Sequence, residues 1–306
     1  MVYDVNGNII GNVYIEKPRK PRNSYIHISL DDVTYCINNL STGSLASLFS
    51  EPLFALLKQL HDKYSAVFSL YVYNLQNSGF LNMPTKYQQE FIDNSDWLKI
   101  GFHIYADGQI GDMTKATAMS NYNDFATGAF KLCGGINSID RIPRLNYYSG
   151  GLAACQGLRD ANCGIVGLLT ADDSRTSYYL TQAQANYIRE NGILYDTANG
   201  LVFLDTAFRL DWFVSGFTSE YQYDEPTENN PYDELVLRYG SAERGKLFNN
   251  LLVFLHEWRV YSSSYQIDTA MKNMMEQVCK FGQDYKYDFD FPQNRLMNIT
   301  SFSIAS

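Results

Sequence analysis

Apolar and polar positions follow two alternating regimes along the chain. Near-continuous apolar or aromatic runs recur at residues 25–30, 66–74, 97–106 and 247–261, and a shorter one lies in "GIVGLLTADD". Runs of this length, rich in β-branched and aromatic residues, read as strands, and their lack of alternation reads as burial on both faces. Between them, apolar residues fall at helical spacing in "EPLFALLKQLHDKY", a short "KYQQEFIDN", residues 115–132, "GLAACQGLRDA", "LTQAQANYIRENG" and "YQIDTAMKNMMEQVCKFG". Gly192 supplies a helix stop. Residues 139–148 read as extended, because Pro143 disfavours a helix there. This alternation predicts an α/β fold with parallel strands joined by crossover helices.

Two regions break the pattern. Residues 192–213 read as a hairpin, with β-rich runs flanking Asn199-Gly200, and "YQYDEPTENNPYDEL" reads as an acidic, Pro-interrupted loop. Residues 192–240 are therefore read as an insertion covering one face. At the start, Asn6-Gly7 is a hairpin signal and "KPRKPR" a solvated basic connector. The expected organisation is an N-terminal arm over 1–23 and one domain over 24–306, without internal repeats.

Composition narrows the partners. Apolar residues make up 45% of the 306 residues, enough for a large core. Twenty-four Lys and Arg stand against 33 Asp and Glu, a net charge of −9, which argues against nucleic acid or an anionic membrane surface as partner. No run of about 18 apolar residues exists to span a membrane. Residues 1–19 show no signal peptide, so the chain as it stands reads as cytoplasmic, or as secreted or of the cell envelope if a leader was trimmed. Five cysteines (Cys36, Cys133, Cys155, Cys163 and Cys279) form no CxxC pair and read as buried or free thiols. The 24 Tyr suit a carbohydrate partner, because phenol rings stack on sugar C–H faces, and they also suit a plain core.

In parallel α/β folds, ligands bind where strand carboxyl ends and helix N-termini converge. Polar residues follow the strand runs there: Asp31-Asp32, His103 through Asp107, Arg144 and Tyr147, Asp172-Asp173, and His256-Glu257. Of the four histidines, His61 reads as a helix-surface residue and His27 as a packed one. His103 and His256 interrupt apolar strands, which is costly without a partner. Adjacent carboxylates at 31 and 32 repel each other unless a cation compensates. A divalent metal on one would leave the other as a base toward water.

This set, in this order, resembles the polysaccharide deacetylases of carbohydrate esterase family four. "SLDDV" resembles the T-F-D-D-G motif, which makes Asp31 the catalytic base and Asp32 a metal ligand. "HIYAD" resembles H-[ST]-x-x-H, with His103 kept and Asp107 in place of the second ligand His. "RLNY" fits the R-x-x-Y of the third motif, so Arg144 would orient the base and the Tyr147 backbone N–H would meet the oxyanion; "RIP", with Arg141, is a competing register. The fourth motif carries an Asp near a Trp; "LLTADDSRTSYY" occupies its place without a Trp, and Asp173 would orient the acid. "VFLHEW" resembles the fifth motif and makes His256 the acid.

The resemblance implies a distorted (β/α) barrel of the deacetylase type with about seven parallel strands. It implies a metal-dependent hydrolase removing N- or O-linked acetyl groups from a polysaccharide or oligosaccharide. The cofactor would be a divalent ion, zinc first, with manganese, magnesium, nickel or cobalt as alternatives. Two other readings stand beside it. A metal-independent glycoside hydrolase would pair Asp31 with Asp173 or Glu257 across a groove, leaving Asp32 and His103 unexplained. A non-catalytic carbohydrate- or protein-binding member of the fold would use the Tyr-rich surface alone.

Overall fold

The structure is a computed structural model that describes residues 24–108, 110–240 and 250–297, and the backbone of two short N-terminal strands. These strands, β1 (Val2–Tyr3) and β2 (Ile9–Gly11), pair antiparallel as the expected hairpin, while Asn6-Gly7 and the basic segment 17–22 lie outside the described residues.

The apolar runs form the central strands β3 (Tyr25–Val33), β4 (Phe68–Val72), β5 (Leu98–Phe102) and β6 (Ile139–Asp140). β4 and β5 are buried along their whole length, as near-continuous apolar sequence requires. Further along come β7 (Gly167–Leu169), β8 (Ile193–Asp196), β9 (Leu201–Leu204), β10 (Phe208–Arg209), β11 (Asn250–His256) and β12 (Asp288–Phe289). One sheet has the order β10-β11-β3-β4-β5-β6 with β12 also on β3, and every pairing in it is parallel. A second sheet has the order β7-β9-β8.

Two features join these sheets into a barrel. The backbone N–H groups of Val166 and Leu169 donate to the carbonyls of Arg141 (2.8 Å) and Pro143 (3.0 Å), bridging the β6 side to β7. The chain then leaves β9, which pairs with β7, and runs directly into β10, which pairs with β11. Residues 201–209 thus close the ring. This corrects the reading of 192–240 as an insertion throughout. The hairpin is present, with β8 and β9 antiparallel and Gly200 at φ +60° in its turn, yet its second strand belongs to the barrel. Local pattern shows the hairpin; the parallel partners of its second arm are set by strands distant in sequence.

Helix ends follow local chemistry. Pro52–Tyr64 starts at Glu51, whose carboxylate accepts the Leu53 and Phe54 N–H groups, with Pro at the first position. Gln182–Asn191 carries a Thr181/Gln184 capping box and stops at Gly192, φ +83°. The loop expected to run to residue 235 instead ends in a helix, Pro231–Tyr239, capped by Asn230, which accepts the Asp233 N–H at 3.0 Å. Pro231 breaks a helix from inside but starts one from its first turn.

One contact ties the two strand ends that flank the site. Glu257, buried just after β11, accepts the N–H groups of Thr34 (2.6 Å), Tyr35 (2.7 Å) and Cys36 (2.8 Å), the start of the helix Tyr35–Ser41 after β3. Glu257→Ala strands these donors and is expected to cost on the order of 3 kcal/mol. Urea unfolding measures this, with Glu257→Gln intermediate; an unchanged midpoint in the alanine variant would remove the cap from the account.

Candidate active site

Strict alternation would send the side chains of Asp31 and Asp32 to opposite faces of β3. The strand avoids this with a bulge. Its register with β4 runs Leu30↔Leu70 and then Val33↔Val72, one extra residue on β3, and Asp32 adopts φ +57°. A left-handed non-glycine costs about 1–2 kcal/mol, and bulges of this kind re-aim side chains next to sites. Both carboxylates line one cleft of about 640 Å³ at the carboxyl end of the barrel. Two adjacent acids end an apolar strand because the backbone there is built to turn both into the same cavity.

Asp31 is 3% exposed and accepts a hydrogen bond from Arg144 Nη1 at 2.8 Å. Arg144 is 1% exposed and held from several sides. Nη1 also meets Ser29 Oγ at 3.2 Å, Nη2 donates to Thr206 Oγ1 at 3.0 Å, and the guanidinium lies 4.0 Å from the Phe254 ring centre. The competing Arg141 turns away and donates to the Gly164 carbonyl at 2.8 Å. Arg144, and not Arg141, is therefore the neighbour of Asp31.

His103 follows β5, and its Nδ1 lies 2.5 Å from the Arg144 carbonyl. A carbonyl only accepts, so Nδ1 carries the proton. In the neutral ring Nε2 is then a bare lone pair, and it faces Asp32 Oδ1 at 3.3 Å. Two acceptors at that distance repel unless a positive charge lies between them, either a proton or a cation. Burial works to raise the Asp32 carboxyl, but contact with His103, together with His256 and Trp258, holds it below its ordinary range. Two ligands about 2.0–2.1 Å from one tetrahedral ion stand roughly 3.3–3.4 Å apart, so this pair fits a shared cation. Asp107, the expected third ligand, is exposed and accepts from the Tyr73 hydroxyl instead. Among the described residues, no three His, Cys, Asp or Glu side chains form a metal-binding group.

His256 ends β11 directly opposite Asp31 of β3. Its Nδ1 meets the Asp211 carboxylate, and its Nε2 points toward Asp32 Oδ2 at 3.9 Å. Burial pulls the His256 pKa down, but the Asp211 carboxylate outweighs it and raises the imidazole above its ordinary value. This corrects the expectation that Asp173 orients His256. Asp173 is clamped by Arg175, Nη2 to Oδ2 at 2.5 Å, and does not line the cleft. Asp172 accepts the Tyr148 hydroxyl at 2.7 Å. The signal for Asp211 stood in "RLDWF", an Asp beside a Trp, past the hairpin rather than directly after β7.

Tyr147 lines the cleft with its side chain 58% exposed, and both it (φ +55°) and Tyr148 (φ +53°) are left-handed. Two consecutive strained residues of about 1–3 kcal/mol each fix the loop after Arg144. Neither Glu257, spent on its three N–H groups, nor Asp173 lines the cleft. Neither therefore faces Asp31 as the metal-independent glycosidase would need. His27 is buried against Ser69 Oγ at 2.9 Å, and His61 stacks on Trp97. The five cysteines are unbridged. No helix among the described residues is long and apolar enough to cross a membrane.

No protein family and no curated protein matches the chain. The fold matches a crystal structure described as that of a "putative polysaccharide deacetylase from Mycobacterium smegmatis", at 12% sequence identity, TM-score 0.50 and 92% coverage of each chain. At that identity the likeness is one of architecture, and the chain has the mostly parallel α/β barrel fold of that protein.

Proposed function

We propose that the cleft hydrolyses N- or O-linked acetyl groups on a polysaccharide or oligosaccharide, with a divalent cation held by Asp32 and His103. One observation carries the reading: with Nδ1 turned to the Arg144 carbonyl, His103 Nε2 faces an Asp32 oxygen at 3.3 Å, between an Asp31–Arg144 pair and a His256–Asp211 pair. That is a cation position flanked by a braced carboxylate and a braced imidazole. The shared fold and the motif order, with Asp211-Trp212 filling the fourth position, add support.

When bound, such an ion acts as a Lewis acid toward the acyl carbonyl. The chain does the rest. Arg144 orients Asp31, and Asp31 takes the proton of the attacking water. Asp211 fixes the tautomer of His256 and keeps it protonated, so that Nε2 delivers a proton to the departing nitrogen or oxygen. The Tyr147 backbone N–H, held by its strained loop, donates to the oxyanion. With Asp107 elsewhere, only Asp32 and His103 would hold the ion, fewer than the three protein ligands usual in catalytic zinc sites. That shortfall is what favours the second reading, a barrel that binds glycan without turning it over.

Metal analysis of the purified protein, followed by acetate release from a panel of acetylated glycans with and without chelator, separates the two. Acetate release that stops with chelation supports the hydrolase. Glycan binding with no acetate released from any substrate leaves the binding reading. Asp32→Ala and His103→Ala are each expected to lose the bound metal; full stoichiometry in either would place the cation elsewhere.

A further inference from the structure

Arg209 ends β10 beside Phe254 of β11 and is 8% exposed. Its guanidinium packs over the rings of Phe254 (4.5 Å) and Phe217 (5.6 Å). Nε is enclosed and lies 3.5 Å from Asp172 Oδ2 and 3.7 Å from Asp211 Oδ2, too far for a hydrogen bond with good geometry. Among the described residues the guanidinium makes no hydrogen bond at all. Its two terminal nitrogens are not among the enclosed atoms, and Arg209 lines the cleft. Arg144, by contrast, spends its terminal nitrogens on Asp31, Ser29 and Thr206.

A largely buried fork of donors without acceptors is costly unless something brings oxygens to it. The neighbourhood decides which oxygens. Asp172 and Asp211 already stand within 4 Å of this cation, and Asp31 and Asp32 line the same cleft. A ligand carboxylate on Arg209 would add one more anion beside Asp172 and Asp211, which already match the charges of Arg209 and His256, and would carry the desolvation cost of a buried anion. Uncharged oxygens suffer neither penalty. The planar fork fits two acceptors held side by side, as neighbouring hydroxyls of a sugar ring are.

We propose that Arg209 is a substrate-binding residue whose terminal nitrogens donate to adjacent uncharged oxygens of the acetyl-bearing sugar, so that the cleft selects neutral glycans over acidic ones. The inference rests on the proposed glycan reading and names its substrate class. The test is calorimetric titration of the full chain with chelator present, which stops the proposed metal-dependent turnover and leaves the cleft's own charges intact. The neutral probes are N-acetylchitotetraose and acetylated xylotetraose; the acidic probe is an acetylated oligogalacturonate. The better neutral probe is expected to bind at least ten-fold more tightly than the acidic one. Arg209→Lys keeps a charge beside Asp172 and Asp211, so the fold is preserved, but it loses the fork. It is expected to weaken the neutral probe ten-fold or more and to erase the preference. A purely structural arginine would leave that ratio untouched. Unchanged neutral binding in Arg209→Lys, or tighter binding of the acidic probe by the parent, overturns the inference alone. A parent that binds none of the three glycans overturns the glycan reading and this inference with it.

Discussion

Asp31→Asn is expected to lower kcat on an acetylated glycan by about 10²–10⁴-fold, the range for losing a general base, while any cation at the proposed Asp32–His103 position is retained. The separation follows from the geometry. Asp31 faces Arg144, whereas the proposed cation position lies between Asp32 and His103. Asparagine keeps the shape and one oxygen for Nη1, but it cannot take a proton from water. It also leaves the buried Arg144 without its charge partner. Removing one side of a buried pair costs several kcal/mol when nothing replaces it, so a lower thermal midpoint is expected alongside the kinetic loss. Metal content, unfolding and initial rates measured on the same preparation distinguish the two effects. A folded, metal-loaded variant turning over at the parent rate would remove Asp31 from the chemistry.

The second large effect is expected at Asp211, and it has a direction in pH. His256 is held above its ordinary value of 6.5 because the Asp211 charge outweighs burial. An acid must be protonated to act, so activity should be full below the raised value and fall as pH rises through it. Asp211→Asn removes the largest of the opposing charges and leaves burial, which depresses the imidazole, against only Asp32 and Asp31. The alkaline limb of the pH–rate profile should therefore move to lower pH, with kcat near neutrality down by roughly 10²-fold or more. Stability follows the same sign. A group whose pKa is raised on folding stabilises fully below its unfolded value, and that contribution disappears as pH rises through the folded value. The parent should thus lose stability across that window and the Asn variant should not. An alkaline limb that stays in place in Asp211→Asn would mean that another group sets it.

Glu257 bears on both results. It shares no chemistry with its neighbour His256, yet it binds the N–H groups of residues 34–36 and so fixes the end of β11 against the end of β3. The braces on Asp31 and His256 depend on that registration. A variant at Glu257 should therefore lose stability first, and activity only as far as the strand ends drift.

Much of this was legible along the chain. Burial on both faces erases alternation, so the apolar runs mark β3, β4, β5 and β11 directly, and the helix starts at Glu51 and Thr181 are written in side chains that cap within three residues. The polar residues that interrupt or end those runs, Asp31, Asp32, His103, Arg144 and His256, all reach one cleft because parallel strands deliver their carboxyl ends to the same rim. What failed depended on pairing across long stretches of chain. Asp173 follows its strand as the pattern requires, but it is Asp211, past the hairpin, that reaches His256. Asp107 stands four residues after His103, but Tyr73 takes it.

The sequence by itself determined most of the elements, the parallel α/β alternation and the inventory of acids and imidazoles at the strand ends, because periodicity and capping act over a few residues. Only the tertiary structure decided that 201–209 closes the barrel, that Asp211 rather than Asp173 braces His256, and that a bulge at Asp32 turns two neighbouring carboxylates into one cleft. Register, ring closure and the choice among competing charge partners are settled by atoms brought together from distant parts of the chain, and no local pattern encodes them.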